Sequence, residues 1–412
     1  MRSRSLALVT LSALLALPAA ASAKCGWNIA SSPDPANNNS LGFVSGSSAS
    51  DVWGIGYTAS PSGLYSTLGI HWNGTSWTTT ATQNPGIQDI LRGVADVSAT
   101  DAWAVGVEFL PSGGNQGLIE QWNGTAWNVV TAPTQAGEFI YLNSVTAIAA
   151  NDVWAAGGEY NSSGTVESPV TMHYDGKKWS LVPVPGTGSY GTTLVEVVGT
   201  SSKDAWAIGD SWVSSVHNNY TTLAEHWNGK KWTVVTTPNT TGPDNVFNSA
   251  VAIAPNDVWA IGDYWTGSIF QTLTEHYDGK KWSIVPSPNS GTYGDGLYAA
   301  AGISTKDVWA VGQVYGASGA AKTFGIKWNG KKWAVQKTPN VSGATNDGFN
   351  SIAAIPGTNT VWAVGDTYYP STGNPDQTLT ADDTCAAAGT DDLSPELYVP
   401  ATPAVRKLRA IR

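Results

Sequence analysis

The sequence predicts an all-β chain: a seven-bladed β-propeller with four antiparallel strands to a blade, closed by an N-terminal strand that pairs into the last blade. Two repeated motifs in fixed order predict the blades, and a mismatch of strands at the two ends predicts the closure. The first motif, Asp51-Val52-Trp53-Gly54-Ile55-Gly56, returns at Asp101, Asp152, Asp204, Asp257 and Asp307, and at Thr360 with Thr in place of Asp. The copies are 50 to 53 residues apart. The second motif is an aromatic–Asn/Asp–Gly–x–x–Trp turn. It follows the first six copies at Trp72–Trp77, Trp122–Trp127, Tyr174–Trp179, Trp227–Trp232, Tyr277–Trp282 and Trp328–Trp333. A period of this length with two motifs marks a repeat architecture of propeller type.

The elements follow in chain order. Arg2 and Arg4 precede an apolar run, Leu6 to Leu17, and then Ala21-Ser22-Ala23. A charged start, an apolar middle and a small-residue cleavage site read as a signal peptide over residues 1–23, cut after Ala23, and so as a secreted protein. The run falls short of the ~20 residues a bilayer span needs, and no later segment is longer and apolar. The chain carries 31 acidic against 21 basic residues, two of the latter in the signal segment. That balance excludes nucleic acid as a general partner, which requires a basic surface. Only 13% of residues are charged and 45 are glycine, which suits short strands and tight turns.

Each period divides into four strands, as in the third: Leu142–Ala150, Asp152–Tyr160, Pro169–Gly176 and Lys177–Pro185. The first is apolar enough for burial on both faces, and the others alternate. Asn-Gly or Asp-Gly between the third and fourth strands signals a hairpin, expected as a type I′ turn. Tryptophan recurs in the second strand (Trp53 to Trp362) and at the start of the fourth (Trp27 to Trp333). Rings repeated once per blade are expected to fill the wedge between neighbouring sheets. The Asp that opens each motif is expected to cap its own turn backbone.

The ends are complementary. Trp27 lies in KCGWNIASSPDP, which matches a fourth strand with nothing before it, and the seventh period stops after three strands. Cys25 and Cys385 fall where that last blade lacks its hairpin turn, and a disulfide between them is expected to replace it. The propeller domain is therefore bounded as 24–385, and residues 386–412 read as a flexible tail.

The span from Cys25 to Cys385 resembles bacterial secreted propellers built from DVWAVG and WNGxxW repeats. The WNGKKW turn resembles a shortened Asp-box, the hairpin between the third and fourth strands of sialidase-type blades. Propellers with such a box include hydrolases, lectins and assembly factors, so the resemblance implies a fold and leaves the activity open.

The residues themselves point away from catalysis. A sialidase needs an arginine cluster, and the repeat region has Arg92 alone. His71, His173, His226 and His276 share one repeat position, filled elsewhere by Gln121 and Lys327, which marks them as structural. His217 is the single non-repeating histidine, and no spacing suggests a metal site. Residues that break the repeat gather in the loops between blades and between strands two and three, which share one face. They include Trp212, Tyr264 and Trp265, with Asp210, Asp263 and Asp366 ending the second strands, and also Tyr141, Tyr190, Phe247, Tyr293, Tyr298 and Tyr368. Aromatics beside carboxylates suit a sugar or a peptide. Lysine pairs at 177–178, 230–231, 280–281 and 331–332 form a basic arc on the opposite face, read as solvated turn residues. The expectation is a monomeric, non-catalytic binding or scaffold propeller without cofactor or metal. Its ligand is a glycan, a cell-wall polymer or a protein at the loop face. The alternative is an exported carbohydrate-active enzyme, a glycoside hydrolase or lyase, using carboxylates such as Asp210 and Asp263.

Overall fold

The computed structural model describes residues 24–386 apart from 136–137, 162–163, 165–166, 189, 215–218, 318 and 370–375. The expected signal peptide, the tail beyond residue 386 and His217 lie outside the described residues. Strand β1 (Lys24–Ala30) comes first. The first repeat follows as β2 (Asn38–Ser48), β3 (Asp51–Ala59), β4 (Tyr65–Trp72) and β5 (Trp77–Thr79). The second is β6 (Gln88–Ser98), β7 (Asp101–Phe109), β8 (Asn115–Trp122) and β9 (Trp127–Val129). The third is β10 (Glu138–Ala149), β11 (Asp152–Asn161), β12 (Glu167–Tyr174) and β13 (Trp179–Val182). The fourth is β14 (Gly191–Ser201), β15 (Asp204–Trp212), β16 (Tyr220–Trp227) and β17 (Trp232–Val235). The fifth is β18 (Asp244–Ala254), β19 (Asp257–Trp265), β20 (Phe270–Tyr277) and β21 (Trp282–Ile284). The sixth is β22 (Asp295–Ser304), β23 (Asp307–Tyr315), β24 (Ala321–Trp328) and β25 (Trp333–Gln336). Strands β26 (Asn346–Ala354), β27 (Val361–Tyr368) and β28 (Asp376–Ala386) end the series.

Pairing yields five four-stranded sheets and one of eight strands. The eight-stranded sheet is the third and fourth repeats side by side, joined by one parallel residue pair, Glu167 with Gly191. The last sheet runs β26, β27, β28, β1, with β1 antiparallel to β28 from Lys24 opposite Ala386 to Ala30 opposite Thr380. A small polar motif recurs where β1 runs on into residues 32–34. In the fourth repeat, Asn239 Oδ1 accepts from the Thr222 N–H at 3.0 Å while the Thr237 and Thr222 hydroxyls meet at 2.8 Å. In the last sheet Asp34 Oδ1 accepts from the Thr378 N–H at 2.7 Å, and the Ser32 and Thr378 hydroxyls meet at 2.7 Å. Ser32-Pro33-Asp34 thus does the work of Thr237-Pro238-Asn239.

Seven hydrophobic clusters lie between consecutive repeats, and one of them joins the last to the first through Trp362, Val364, Ile355, Leu41 and Trp77. The tryptophans organise these seams as expected. The second-strand indole of each repeat meets the fourth-strand indole of the next edge to face: Trp53–Trp127, Trp103–Trp179, Trp154–Trp232, Trp206–Trp282, Trp259–Trp333, Trp309–Trp27 and Trp362–Trp77. Centroids are 5.0–5.5 Å apart and interplanar angles are 79–89°. This arrangement sets the positive edge of one ring against the negative face of the other.

Two sequence expectations need correction. The hairpin between third and fourth strands is not a two-residue type I′ turn, because Trp72 pairs with Trp77 and leaves four residues in the loop. Asn73 Oδ1 accepts from the N–H groups of Thr75 and Ser76, and Gly74 takes φ 93°, so the Asn and Gly serve an Asx-type loop. The motif Asp, in turn, reaches across to the third strand. Asp51, Asp152, Asp204 and Asp257 bond Nε2 of His71, His173, His226 and His276 at 2.7–2.8 Å, and each of these imidazoles also packs on the adjacent second-strand indole. Gln121 and Lys327 fill the same role for Asp101 and Asp307. The histidines are structural, and the aspartates are their partners.

Candidate functional site

Every repeat has a register shift at an equivalent place in its first strand, centred on Gly42, Arg92, Asn143, Val195, Asn248, Tyr298 and Asn350, and the first six have a second shift near the strand's end. The bulge forces the facing strand to approach closely. A Cβ on the last glycine of each motif, Gly56 to Gly365, would lie 1.9–2.1 Å from a carbonyl oxygen of the bulged strand. That contact is why the motif ends in Gly in all seven copies. A bulge re-aims side chains and is common beside functional sites. Here the residues at and just after it border a cavity of about 150 Å³, lined from the first strands of all seven repeats.

The residue following the bulge is Phe43, Gly93, Ser144, Glu196, Ser249, Ala299 or Ser351 in turn. Glu196 is the one charged group among them. The hydroxyl of Ser144 donates to one of its carboxylate oxygens and that of Ser249 to the other, at 3.3 Å. Each hydroxyl also accepts a backbone N–H from the next repeat, Val197 at 3.2 Å and Ala300 at 3.3 Å, while its own proton goes to Glu196. The cavity leaves the carboxylate partly accessible while protein surrounds it, and burial pushes its pKa up to about 7 against the pull of these hydrogen bonds.

Three bulge asparagines stitch neighbouring repeats together. The amide nitrogens of Asn143, Asn248 and Asn350 donate to the carbonyls of Leu194, Leu297 and Leu41 at 2.8–3.0 Å. Asn248 and Asn350 spend their second N–H on Asp263 at 3.1 Å and Asp366 at 2.9 Å. Asn143 Oδ1 accepts from the guanidinium of Arg92 at 3.2 Å, and that guanidinium also lies 5.7 Å from the Tyr141 ring centre. Burial lifts the Asp366 carboxyl to about 7, opposed by bonds from Asn350, Ser40 and the Leu41 N–H.

The six residues chosen from sequence fall into two layers. Asp210, Asp263 and Asp366 occupy one repeat position on the second strands, beneath the loops; the first two are buried and the third is half-buried. Trp212, Tyr264 and Trp265 are half-buried at the strand ends above them. Trp212 packs on Tyr220 and Tyr190, Trp265 on Phe270, and the Tyr264 hydroxyl donates to Gln271 at 2.6 Å. The two indoles do not stack on each other. Among the other aromatics read as loop residues, Phe247 is core and Tyr298 sits at a bulge beside the cavity. Sequence reasoning passed over Glu196, Asn248 and Asn350. Their signal was present: Leu142-Asn-Ser, Phe247-Asn-Ser and Phe349-Asn-Ser align with Leu194-Val195-Glu196, where a single acid interrupts an otherwise uncharged strand. Cys25 and Cys385 stand opposite each other in the β1–β28 register, with side chains outside the described residues.

No family model and no curated protein matches the chain. Among solved structures, YCF48 bound to D1 peptide is similar over 87% of this chain and 97% of its own, at 12% identity and a TM-score of 0.52. YCF48 from Cyanidioschyzon merolae is similar over 86% and 98%, at 15% identity and a TM-score of 0.51. The likeness is one of fold, and it places this chain among β-propellers.

Proposed function

We propose that the chain is an exported, non-catalytic binding protein: a seven-bladed propeller, closed by β1 and a Cys25–Cys385 disulfide, that docks a partner on its loop end. Support for the closed ring comes from the indole pairs, which pass from blade to blade and return from Trp362 to Trp77. Support for the disulfide comes from the register, since directly opposed antiparallel residues have Cα atoms ~4.5–5.5 Å apart, inside the range a disulfide bridges.

One observation carries the binding reading. Among the described residues, the exposed large hydrophobics divide between the outer strands (Ile29, Val129, Val234, Ile284, Val335) and the loop end (Leu64, Ile87, Tyr190, Val213, Tyr293), with none at the lysine-bearing turn end. The loop-end group is 38–56% exposed, and its Tyr190 packs on Trp212. Apolar and aromatic groups spread across one end, with the lysine pairs on the other, suit a macromolecular partner. A protein surface fits this spread better than a glycan, which would want one flat stacking platform. YCF48, similar in fold, has been solved with a peptide bound.

The test is a screen of the purified chain on peptide, glycan and cell-wall-polymer arrays, with product analysis, repeated with a Trp212→Ala/Tyr190→Ala/Tyr293→Ala variant. Retention lost in the variant supports the loop end. Retention unchanged moves the site elsewhere, and turnover of a glycan favours the carbohydrate-active enzyme.

A further inference from the structure

We propose that the axial cavity is a receptor for one cationic hydrogen-bond-donating group, an alkylammonium or a guanidinium, held by Glu196 with the amide oxygens of Asn248 and Asn350. The volume decides the size of the guest. About 150 Å³ is half the ~300 Å³ at which pockets begin to hold drug-sized ligands, so the cavity takes a single functional group and no oligosaccharide.

Polarity decides its chemistry. Both N–H groups of Asn248 point at pure acceptors, the Leu297 carbonyl and the Asp263 carboxylate. Those of Asn350 do the same with the Leu41 carbonyl and Asp366. The amide orientation is therefore forced, and each Oδ1 is left as the acceptor of a residue that lines the cavity. The hydroxyls of Ser144 and Ser249 already give their protons to Glu196. The lining thus offers a carboxylate and amide oxygens, while its donors are engaged. The fold shows what such an acceptor holds, because in the equivalent Asn143 the Oδ1 binds the guanidinium of Arg92. Arg92 stands two repeats from Glu196 and is occupied there. A buried carboxylate without a cation is costly, and an incoming donor with positive charge would relieve that cost through charge-assisted bonds.

The site does not depend on docking at the loop end. Calorimetric titration of the full mature chain with methylguanidinium and with methylammonium should show saturable one-to-one binding in the millimolar range, as expected for a lone group. Glu196→Gln should weaken it at least tenfold, and Asn350→Leu several-fold, with the tryptophan near-ultraviolet dichroism unchanged. The Trp212→Ala/Tyr190→Ala/Tyr293→Ala variant should bind both probes as the parent does, which separates this site from the proposed docking surface. A Gly-Arg-Gly peptide binding more tightly than methylguanidinium assigns the group to a partner's side chain, and the reverse assigns it to a free small-molecule cation. Absence of saturation in the parent, equal binding by Glu196→Gln, or equal competition by potassium chloride would each overturn the proposal.

Discussion

At the scale of single residues, the structure turns the repeat's invariants into constraints. The closing glycine of each motif faces a bulge, and an added methyl has nowhere to go because its obstacle is backbone. Gly209→Ala and Gly262→Ala, each meeting a carbonyl oxygen at 1.9–2.0 Å, should each cost about 1–3 kcal/mol, the usual range for overpacking, read from denaturant midpoints. Glu275 presents the opposite case. It is fully buried on β20, neither carboxylate oxygen has a hydrogen-bond partner among the described residues, and burial pushes its pKa up to about 9. Glu120, at the same position of the second repeat, accepts the Gln83 N–H at 3.1 Å. For Glu275 that place in the preceding connection is held by Pro238, which has no N–H to give. The third repeat puts Met172 there, buried in a hydrophobic cluster. Glu275→Met should therefore raise the thermal midpoint at pH 8 and change it little at pH 4, a comparison two calorimetric scans would make.

At the scale of elements, β1 shows what was legible in the sequence and what was not. Its partner strand and its indole could be read from KCGWNIASSPDP because the residues repeat those of complete fourth strands. Removing the half-buried ring, Trp27→Ala, should cost about 2–3 kcal/mol, at or below the low end of the range for a fully buried aromatic, since Trp27 meets both Trp309 and Phe349; urea unfolding would measure it. The loop-end aromatics were legible as exceptions to the repeat. The cavity lining was not, because a first strand buried on both faces carries no alternation to reveal which side chain a bulge will turn inward. The motif Asp was misread for a related reason. Its local turn chemistry is visible in sequence, whereas its histidine lies 19–22 residues away across two strands.

At the scale of the whole molecule, burial raises the pKa of many acids, to about 7 for Asp96, Glu196 and Asp366, about 8 for Glu120 and Glu225, and about 9 for Glu275. The unfolded chain releases those protons near pH 4–4.5. Between there and pH 9 the native state holds more protons than the unfolded one, so stability falls as pH rises and levels off only above the folded-state values. Thermal midpoints should be higher at pH 5 than at pH 9. On the proposed disulfide, Cys25→Ser should lower stability by up to about 6 kcal/mol by the loop-entropy relation, visible as a drop in the unfolding midpoint without reductant.

The pairing of β1 with β28 also sets a timetable. Lys24–Ala30 is made more than 340 residues before the strand it must join, so the first strand to emerge waits for the last. Until Asp376–Ala386 arrives, Trp27 lacks its ladder, and the final sheet has a raw edge. Such distant pairing slows folding and prolongs exposure to aggregation. The six repeats between can form as they are made, but the sheet that unites the two ends sets last, in one late step.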